Sequence, residues 1–208
     1  MTQPQRPTRI LIAFYSRTGS IEALALALAA GAREAGAEVR LRRAREMVDG
    51  ATMAKAPGWA EAAAAMNARY PAPTEEDATW ADGIVFGTPT RFGAVTAELK
   101  AYIDSLGGLW AAGALNGKVG SVFSATASRH GGNESTLLSL YNVLAHLGLI
   151  IVPLGYSDAS LFRAGSPYGA TAATGQPASP PSEEELAVAG YQGRRVTAVA
   201  GALRAGQG

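Results

Sequence analysis

The 208-residue sequence contains no cysteine, which excludes disulfide bonds, cysteine-ligated zinc, iron–sulfur clusters and thiol catalysis. It also lacks any stretch approaching about 18 consecutive strongly apolar residues, and the N-terminus has no apolar signal-peptide core. No membrane association is therefore predicted, and a cytoplasmic location is the expectation.

Neither sign of charge predominates, since 18 basic residues oppose 17 acidic ones and leave a net charge of +1. Nucleic acids and acidic membranes bind dense basic surfaces, and only Arg40, Arg42, Arg43 and Arg45 cluster. We interpret these arginines as the solvent-exposed end of a strand and predict no nucleic-acid partner. No strong cluster of metal-ligating side chains is visible, so no metal site is predicted.

The most informative stretch runs from Ile10 to Ile21. Its unbroken apolar start predicts a strand buried on both faces, as in a parallel sheet. A turn rich in hydroxyl groups follows, and then apolar residues at helical spacing begin at Ile21. A strand, a hydroxyl-rich turn and a helix N-terminus together are suited to hold a phosphate group.

This turn matches neither of two common phosphate loops. A Walker loop requires Gly-Lys before Ser or Thr, and a dinucleotide fingerprint requires three spaced glycines, whereas the turn has no lysine and only Gly19. An anion would therefore be held by backbone N–H and hydroxyl donors. The alternative is that Ser16 and Ser20 are only turn and capping residues.

Strands and helices alternate along the chain. Further strands are predicted at 38–41, 83–87, 119–123 and 149–153, with a capping box at Ser182 opening a last helix to about Leu203. Five strands and five helices predict one α/β domain over 1–208, a doubly wound parallel sheet of order 2-1-3-4-5 with helices on both faces. Insertions are expected at about 43–73, 107–117 and 154–181, the first with at most a short helix near Trp59.

Ligands of such sheets lie beyond the carboxyl ends of strands 1, 3 and 4. These three strands are the ones followed here by hydroxyl- and glycine-rich loops. A phosphoacceptor receiver domain would instead need acidic residues after strand 1 and an aspartate after strand 3. Tyr15-Ser16 and Gly87-Thr88 occupy those positions, which excludes the receiver interpretation.

Four longer motifs resemble the WrbA-type NAD(P)H:quinone oxidoreductases: Thr88-Pro89-Thr90-Arg91-Phe92-Gly93, Gly107-Gly108-Leu109-Trp110, Val152-Pro153-Leu154-Gly155-Tyr156 and Ser166-Pro167-Tyr168-Gly169-Ala170. The resemblance extends from Arg9 to Leu203. It implies a flavodoxin-like fold, non-covalent FMN, a homotetramer built as a dimer of dimers, and two-electron transfer from NADH or NADPH to a quinone. One shared site on the flavin face would give ping-pong kinetics.

The resemblance also implies roles for individual residues. FMN-binding positions are Ser16, Arg17, Thr18, Gly19, Ser20, Ile21, Thr90, Arg91, Phe92, Ala125, Thr126, Ala127, Ser128, Arg129, His130 and His146. Substrate-binding positions are Trp110 and Arg91, with Trp110 often reaching a neighbouring subunit's flavin. His146 is the catalytic candidate, as a donor to the flavin or the quinone oxygen.

Some features leave alternatives open. Thr18 stands where relatives often carry a tyrosine that contacts nicotinamide, and Arg129-His130 lie in an apparent one-residue insertion, so the NADH or NADPH preference is undetermined. From the residues alone, His146 is typical of a helix-capping or half-buried histidine. Trp110, beside glycines, is typical of a stacking wall or interface anchor, with local packing as the alternative. Trp59 and Trp80 are assigned to packing.

Two other functions compete with the enzyme. One is a one-electron carrier of the flavodoxin type, which the near-neutral charge disfavours because such carriers are usually strongly acidic. The other is a flavin-bearing regulatory or assembly protein with little turnover, which the long 154–181 segment allows.

Overall fold

The computed structural model describes residues 6–206, in which six parallel strands form one sheet. The strands are β1 (Arg9–Phe14), β2 (Glu38–Arg43), β3 (Gly83–Pro89), β4 (Val119–Thr126), β5 (Ile150–Ile151) and β6 (Thr171–Ala173). The order β2-β1-β3-β4-β5 is the predicted one, and β6 also pairs with β4. The predicted doubly wound sheet is therefore confirmed.

Helices cover both faces of this sheet. They are α1 (Ser20–Glu34), α2 (Gly50–Met53), α3 (Trp59–Arg69), α4 (Glu75–Trp80), α5 (Ala97–Ser105), α6 (Gly107–Ala111), α7 (Asn133–His146) and α8 (Glu183–Ala205), with a 3-10 helix at Ala159–Phe162. Residues of α1 and α8 share one apolar core, and residues of α5 and α7 share the other.

Strand β1 lies between these two cores. Ile10, Ile12 and Phe14 belong to the core on the α1 face, whereas Leu11 and Ala13 belong to the core on the α7 face. Because successive side chains of a strand point to opposite faces, a central strand with two covered faces needs apolar residues at every position. This requirement explains the unbroken apolar run that begins at Ile10.

Several predicted elements need correction. Five strands and five helices were expected, but residues 6–206 hold six strands and eight α-helices, including α6 in the segment expected to be a glycine-rich connection. Strand β5 has two residues instead of the predicted 149–153, although the Val152 N–H still donates to the Gly120 carbonyl at 2.8 Å. Pro153 then offers no N–H to continue the ladder.

Strand β6 was missed because its sequence, Thr171-Ala172-Ala173, has no apolar signature. A buried glutamine of α8 fixes it in place. The Gln192 side-chain oxygen accepts from the Ala170 N–H at 3.0 Å, and its amide nitrogen donates to the Val122 carbonyl at 2.8 Å. The end of β4 consequently gains a neighbour that the sequence pattern did not indicate.

The interpretation of the arginine cluster as a solvent-exposed strand end is wrong. Arg40 and Arg42 pair with Asp77, whose side chain is only 4% exposed, and Arg43 is fully buried. Ion pairing offsets the cost of burying these charges. Within residues 6–206, no helix is long and apolar enough to cross a membrane, and no group of three or more acidic or histidine side chains is placed to hold a metal ion.

Candidate functional site

A cleft of about 410 Å³ opens at the carboxyl ends of β1, β3 and β4. It lies where the strand order reverses, the position at which doubly wound sheets bind ligands. Its lining comprises Ser16, Arg17, Thr18, Ser20, Ile21, Ala56, Pro57, Trp59, Pro89, Thr90, Arg91, Ala125, Thr126, Ala127, Thr174, Gly175, Gln176 and Ala178. Ten of the residues implied by the resemblance are in this set, so the three predicted loops do converge.

The loop after β1 is organised by a serine hydroxyl. The buried Ser16 Oγ accepts from the Gly19 N–H at 3.1 Å and from the Glu22 N–H at 3.4 Å. Gly19 has φ +100°, a conformation that residues with a Cβ rarely adopt, and it leads directly into α1. Ser16 is therefore a turn residue, as the alternative interpretation held. The turn that it stabilises also lines the cleft.

This loop leaves backbone donors unused. Within the described part of the chain, the N–H groups of Arg17, Thr18, Ser20 and Ile21 donate to no protein acceptor, although all four residues line the cleft. Unpaired N–H groups at the N-terminus of a helix, where the dipole is positive, form an anion-binding site. The donors present suit a phosphate monoester.

One side wall is formed by Trp59 at the start of α3. The Arg17 guanidinium stacks over the Trp59 ring, 3.8 Å from its centroid, and both residues line the cleft. Such stacking favours the cation electrostatically. Trp59 was assigned to packing alone, and that assignment is incomplete because the residue also lines the cleft. No signal in the sequence linked it to the loop after β1.

The loop after β3 forms a tight turn held by hydrogen bonds. The Arg91 N–H donates to the Ala94 carbonyl at 2.9 Å, and the Thr136 hydroxyl donates to Thr90 Oγ1 at 2.8 Å. Phe92 stands at the tip with φ +54° and a fully exposed ring, so it does not line the cleft of its own chain. An exposed aromatic ring held in a strained backbone conformation points to a functional role at this turn.

The remaining wall combines the end of β4 with the segment after β6. The Thr174 N–H donates to the Thr126 carbonyl at 2.9 Å, which places residues 174–176 beside Ala125 to Ala127. The sequence predicted only an insertion at about 154–181 and did not place it at the cleft. Its Gly, Thr and Pro content was the only available signal.

Three predicted residues of the β4 loop lie outside the cleft. Ser128 and Arg129 line an adjoining depression of about 510 Å³, which shares Ala127 and Gly175 with the cleft. His130 is exposed and lines neither space.

Trp110 and His146 lie together elsewhere. They line a separate, mostly apolar depression of about 320 Å³ between α5, α6 and α7. The N-terminal end of α7 contacts the cleft region through Thr136, but His146 is the last residue of this 14-residue helix. At 1.5 Å per residue, the helix separates His146 from the cleft end by about 20 Å. Within one chain these two residues and the cleft therefore form distinct regions.

The fold defines an α/β protein of the doubly wound class with a cleft at the switch point of its sheet. Residues 10–161 match the family model described as NADPH-dependent FMN reductase, and the chain belongs to this family.

Curated relatives are similar over nearly the whole chain. A protein named NAD(P)H dehydrogenase (quinone) from Methylocella silvestris is 46% identical over 202 residues, covering 94% of this chain and 98% of the relative. A protein of the same name from Rhodopseudomonas palustris is 46% identical over 198 residues, covering 92% and 96%.

Solved structures support the same fold. The flavodoxin, WrbA-like protein from Agrobacterium tumefaciens superposes with a TM-score of 0.67 at 24% identity, covering 94% of this chain and 98% of its own. Oxidised flavodoxin 2 from Bacillus cereus superposes with a TM-score of 0.62 at 18% identity, covering 92% and 99%. At these identities the likeness establishes the flavodoxin-like fold.

Proposed function

We propose that this protein is an FMN-dependent NAD(P)H dehydrogenase (quinone) of the WrbA type. It binds FMN without a covalent link and reduces a quinone with two electrons from NADH or NADPH. The family and the names of the two 46%-identical relatives support this activity. The single observation that carries it is the set of four unpaired N–H groups lining the cleft at the start of α1.

The cleft residues suit the parts of FMN. The N–H groups and hydroxyls of the loop after β1 would hold the phosphate, with Thr18 and Ser20 supplying side-chain donors. Thr90, Arg91 and the residues 125–127 would flank the ring system. When bound, FMN would supply the hydride-transfer chemistry between the nicotinamide and the quinone, and this chemistry belongs to the cofactor.

The chain itself contributes position and electrostatics. Thr90 is held by Thr136, and the turn at Arg91 is closed by two hydrogen bonds to Ala94, so the donors in this wall are preorganised. The Arg91 side chain is exposed and lines the cleft, where its positive charge would favour an anionic ring or a quinone oxygen that gains charge. No nucleophile or metal is needed for this reaction.

Trp110 and His146 fit the proposal as residues that act on another copy of the chain. Both line a depression separate from the cleft of their own chain, His146 lies about 20 Å from the cleft end of α7, and Trp110 is 57% exposed. A homotetramer, built as a dimer of dimers in the cytoplasm, would bring them to a neighbouring cleft. His146 would then hold or pass a proton at the quinone oxygen.

The test of the function is an anaerobic titration of FMN-reconstituted protein with NADPH and then NADH, followed by benzoquinone. We expect the flavin absorbance to bleach in one two-electron step and to return when quinone is added. Bleaching only with dithionite, in two one-electron steps, would identify a carrier instead. Protein that does not retain FMN would overturn the proposal.

His146 is tested by His146→Asn, assayed with several quinones beside Glu76→Gln, an exposed residue of α4. We expect slower quinone reduction with FMN affinity retained, because the side chain lies far from the cleft of its own chain. Unchanged rates with every quinone would remove His146 from the mechanism.

A further inference from the structure

The last residue of β2, Arg43, is the largest fully buried side chain among residues 6–206. Its guanidinium donates to Glu46 through both terminal nitrogens, to Asn67 Oδ1 at 2.6 Å and to the Ser16 carbonyl at 2.8 Å. A buried cation persists where charge and hydrogen bonds compensate its desolvation. Of these partners, Ser16 belongs to the cleft.

The contact with Ser16 fixes a peptide plane of the loop. The Ser16 carbonyl and the Arg17 N–H belong to the same peptide group, and in a trans peptide they point in opposite directions. Holding the carbonyl on Arg43 therefore turns the Arg17 N–H, one of the unpaired cleft donors, away from the protein interior. Donation from a cation also polarises that amide and strengthens its N–H as a donor.

Arg43 also brings positive charge to a loop that contains no lysine. Arg45 shares the Asn67 oxygen with Arg43, so two guanidinium groups and the single carboxylate of Glu46 leave a local net charge of +1 behind the loop. Burial by itself would raise the pKa of Glu46, but the hydrogen bonds and charge of Arg43 outweigh burial and hold that pKa below its ordinary value.

The same network reaches the opposite wall of the cleft. Asn67, which accepts from both arginines, lies on α3, and α3 begins at Trp59, the ring on which Arg17 stacks. Arg43 thus connects the backbone of the loop after β1 to the helix that carries the facing aromatic wall.

We propose that Arg43 is the positioning residue of the phosphate loop, orienting the Ser16–Arg17 peptide and stabilising a bound phosphate dianion from beneath. This inference rests on the proposed function, since FMN is the ligand whose phosphate is held. Arg43 lies behind the loop and acts through it.

The experiment compares FMN with riboflavin, which lacks the phosphate, as ligands of the flavin-free full-length protein. Dissociation constants are measured by quenching of flavin fluorescence for wild type, Arg43→Lys and the double variant Arg43→Gln/Glu46→Gln. The double variant removes both buried charges together, and Arg43→Lys retains the cation if the double variant fails to fold.

We expect the double variant to weaken FMN binding about tenfold or more while changing riboflavin binding less than about twofold. Arg43→Lys should recover part of the loss, because it keeps the charge but not the two-pronged geometry. The matched control is Arg42→Gln on the preceding residue of β2, whose partner Asp77 does not line the cleft. It should lower thermal stability and leave the ratio of the two dissociation constants unchanged.

A pH series separates the effect of the Arg43 charge on the phosphate from its structural effect on the loop. A phosphate monoester loses its second proton at about pH 6, so wild-type affinity for FMN should rise as the pH is raised through this value. The rise should be shallower in the double variant, because the local net charge is unchanged but the guanidinium that contacts the loop at the Ser16 carbonyl is lost.

Two outcomes would contradict the inference. If the variants weaken FMN and riboflavin equally, or keep the wild-type preference and pH slope, Arg43 is a structural residue only. Wild-type protein that binds neither flavin would instead overturn the proposed function, and this inference with it.

Discussion

The two ends of α7 belong to regions built in opposite ways. At the N-terminal end, the cleft is enclosed by three loops cross-linked through hydrogen bonds such as Thr136 to Thr90 and Thr174 to Thr126. At the C-terminal end, His146 and Trp110 line an open apolar depression in which Trp110 is 57% exposed. The walls of the first region come from loops of one chain, whereas the second region exposes an aromatic side chain of the kind that proteins usually cover.

This difference indicates that the cleft and the depression have different functions. A cleft with preformed donors binds its ligand without rearrangement, because its geometry costs no further ordering. An exposed tryptophan beside a histidine is typical of an interface anchor. Changes in the cleft should therefore alter flavin affinity, and changes in the depression should alter turnover and assembly.

The largest expected effect is on the cleft, from Gly19→Val. A β-branched residue at φ +100° strains the backbone by about 1–3 kcal/mol, and the loop would relieve that strain by leaving its anion-binding conformation. We expect FMN affinity to fall by up to about 100-fold in a fluorescence titration. Gly36→Val is the control, since Gly36 has φ +83° at the other end of α1 and should reduce stability alone.

A smaller effect is expected in the depression. Trp110→Ala should lower kcat/KM for quinone about tenfold, because truncating an aromatic anchor typically removes about 1–2 kcal/mol of binding free energy. The FMN dissociation constant should stay unchanged. Steady-state kinetics and fluorescence titration measure the two quantities on one preparation. A loss of FMN affinity would contradict the separation of the two regions.

Mixed assemblies sharpen this test. Chains carrying Gly19→Val would lack FMN but keep Trp110, whereas chains carrying Trp110→Ala would bind FMN. If the tryptophan acts on a neighbouring copy, co-assembled chains should be more active than the sum of the two variants alone. Activity equal to that sum would place Trp110 at its own cleft or outside the reaction.

A modest effect is expected at the rim of the cleft. Arg17→Met removes the stacking on Trp59, which is worth about 0.5–1 kcal/mol, and should weaken FMN binding about two- to fivefold. Arg40→Met is the matched control, because Arg40 stacks over Trp80 at 4.1 Å outside the residues that line the cleft. It should leave FMN affinity unchanged, and an equal loss in both variants would show a general effect of removed charge.

The smallest effect is expected in the pH dependence of unfolding at Glu46, which lies behind the cleft. Because the pKa of Glu46 is lower in the folded protein than its ordinary value of 4.5, its contribution to stability is present above that value and is lost as pH falls through the folded pKa. Urea unfolding midpoints, measured for flavin-free protein from about pH 6 to about pH 3, should fall less steeply for Glu46→Gln than for wild type. An identical slope would show that Glu46 gains no stabilising charge contact on folding.

The sequence predicted the parts of the protein whose cause is local. The apolar run from Ile10, the helical spacing after Ile21 and the capping box at Ser182 each predict an element, because period and capping depend on neighbouring residues. The convergence of the loops followed from the strand order, which is a general property of doubly wound sheets.

The residues that were missed act through distant partners. Trp59 lines the cleft because α3 packs beside the loop after β1, and β6 exists because Gln192 holds its approach against β4. The arginines of β2 resemble a solvent-exposed strand end in the sequence because two of their partners, Asp77 and Asn67, come from distant segments. Residues far apart in the chain leave no periodic signal.

By itself, then, the sequence determined five strands of the sheet, their order and the turn that leads into α1, since backbone hydrogen bonding and hydrophobic periodicity specify these locally. Only the tertiary structure decided that Arg43 lies beneath the loop after β1 and that His146 and Trp110 line a depression separate from the cleft. The burial of a charge and the separation of two sites both depend on which segments pack against each other, and this is decided by the packing of the whole chain.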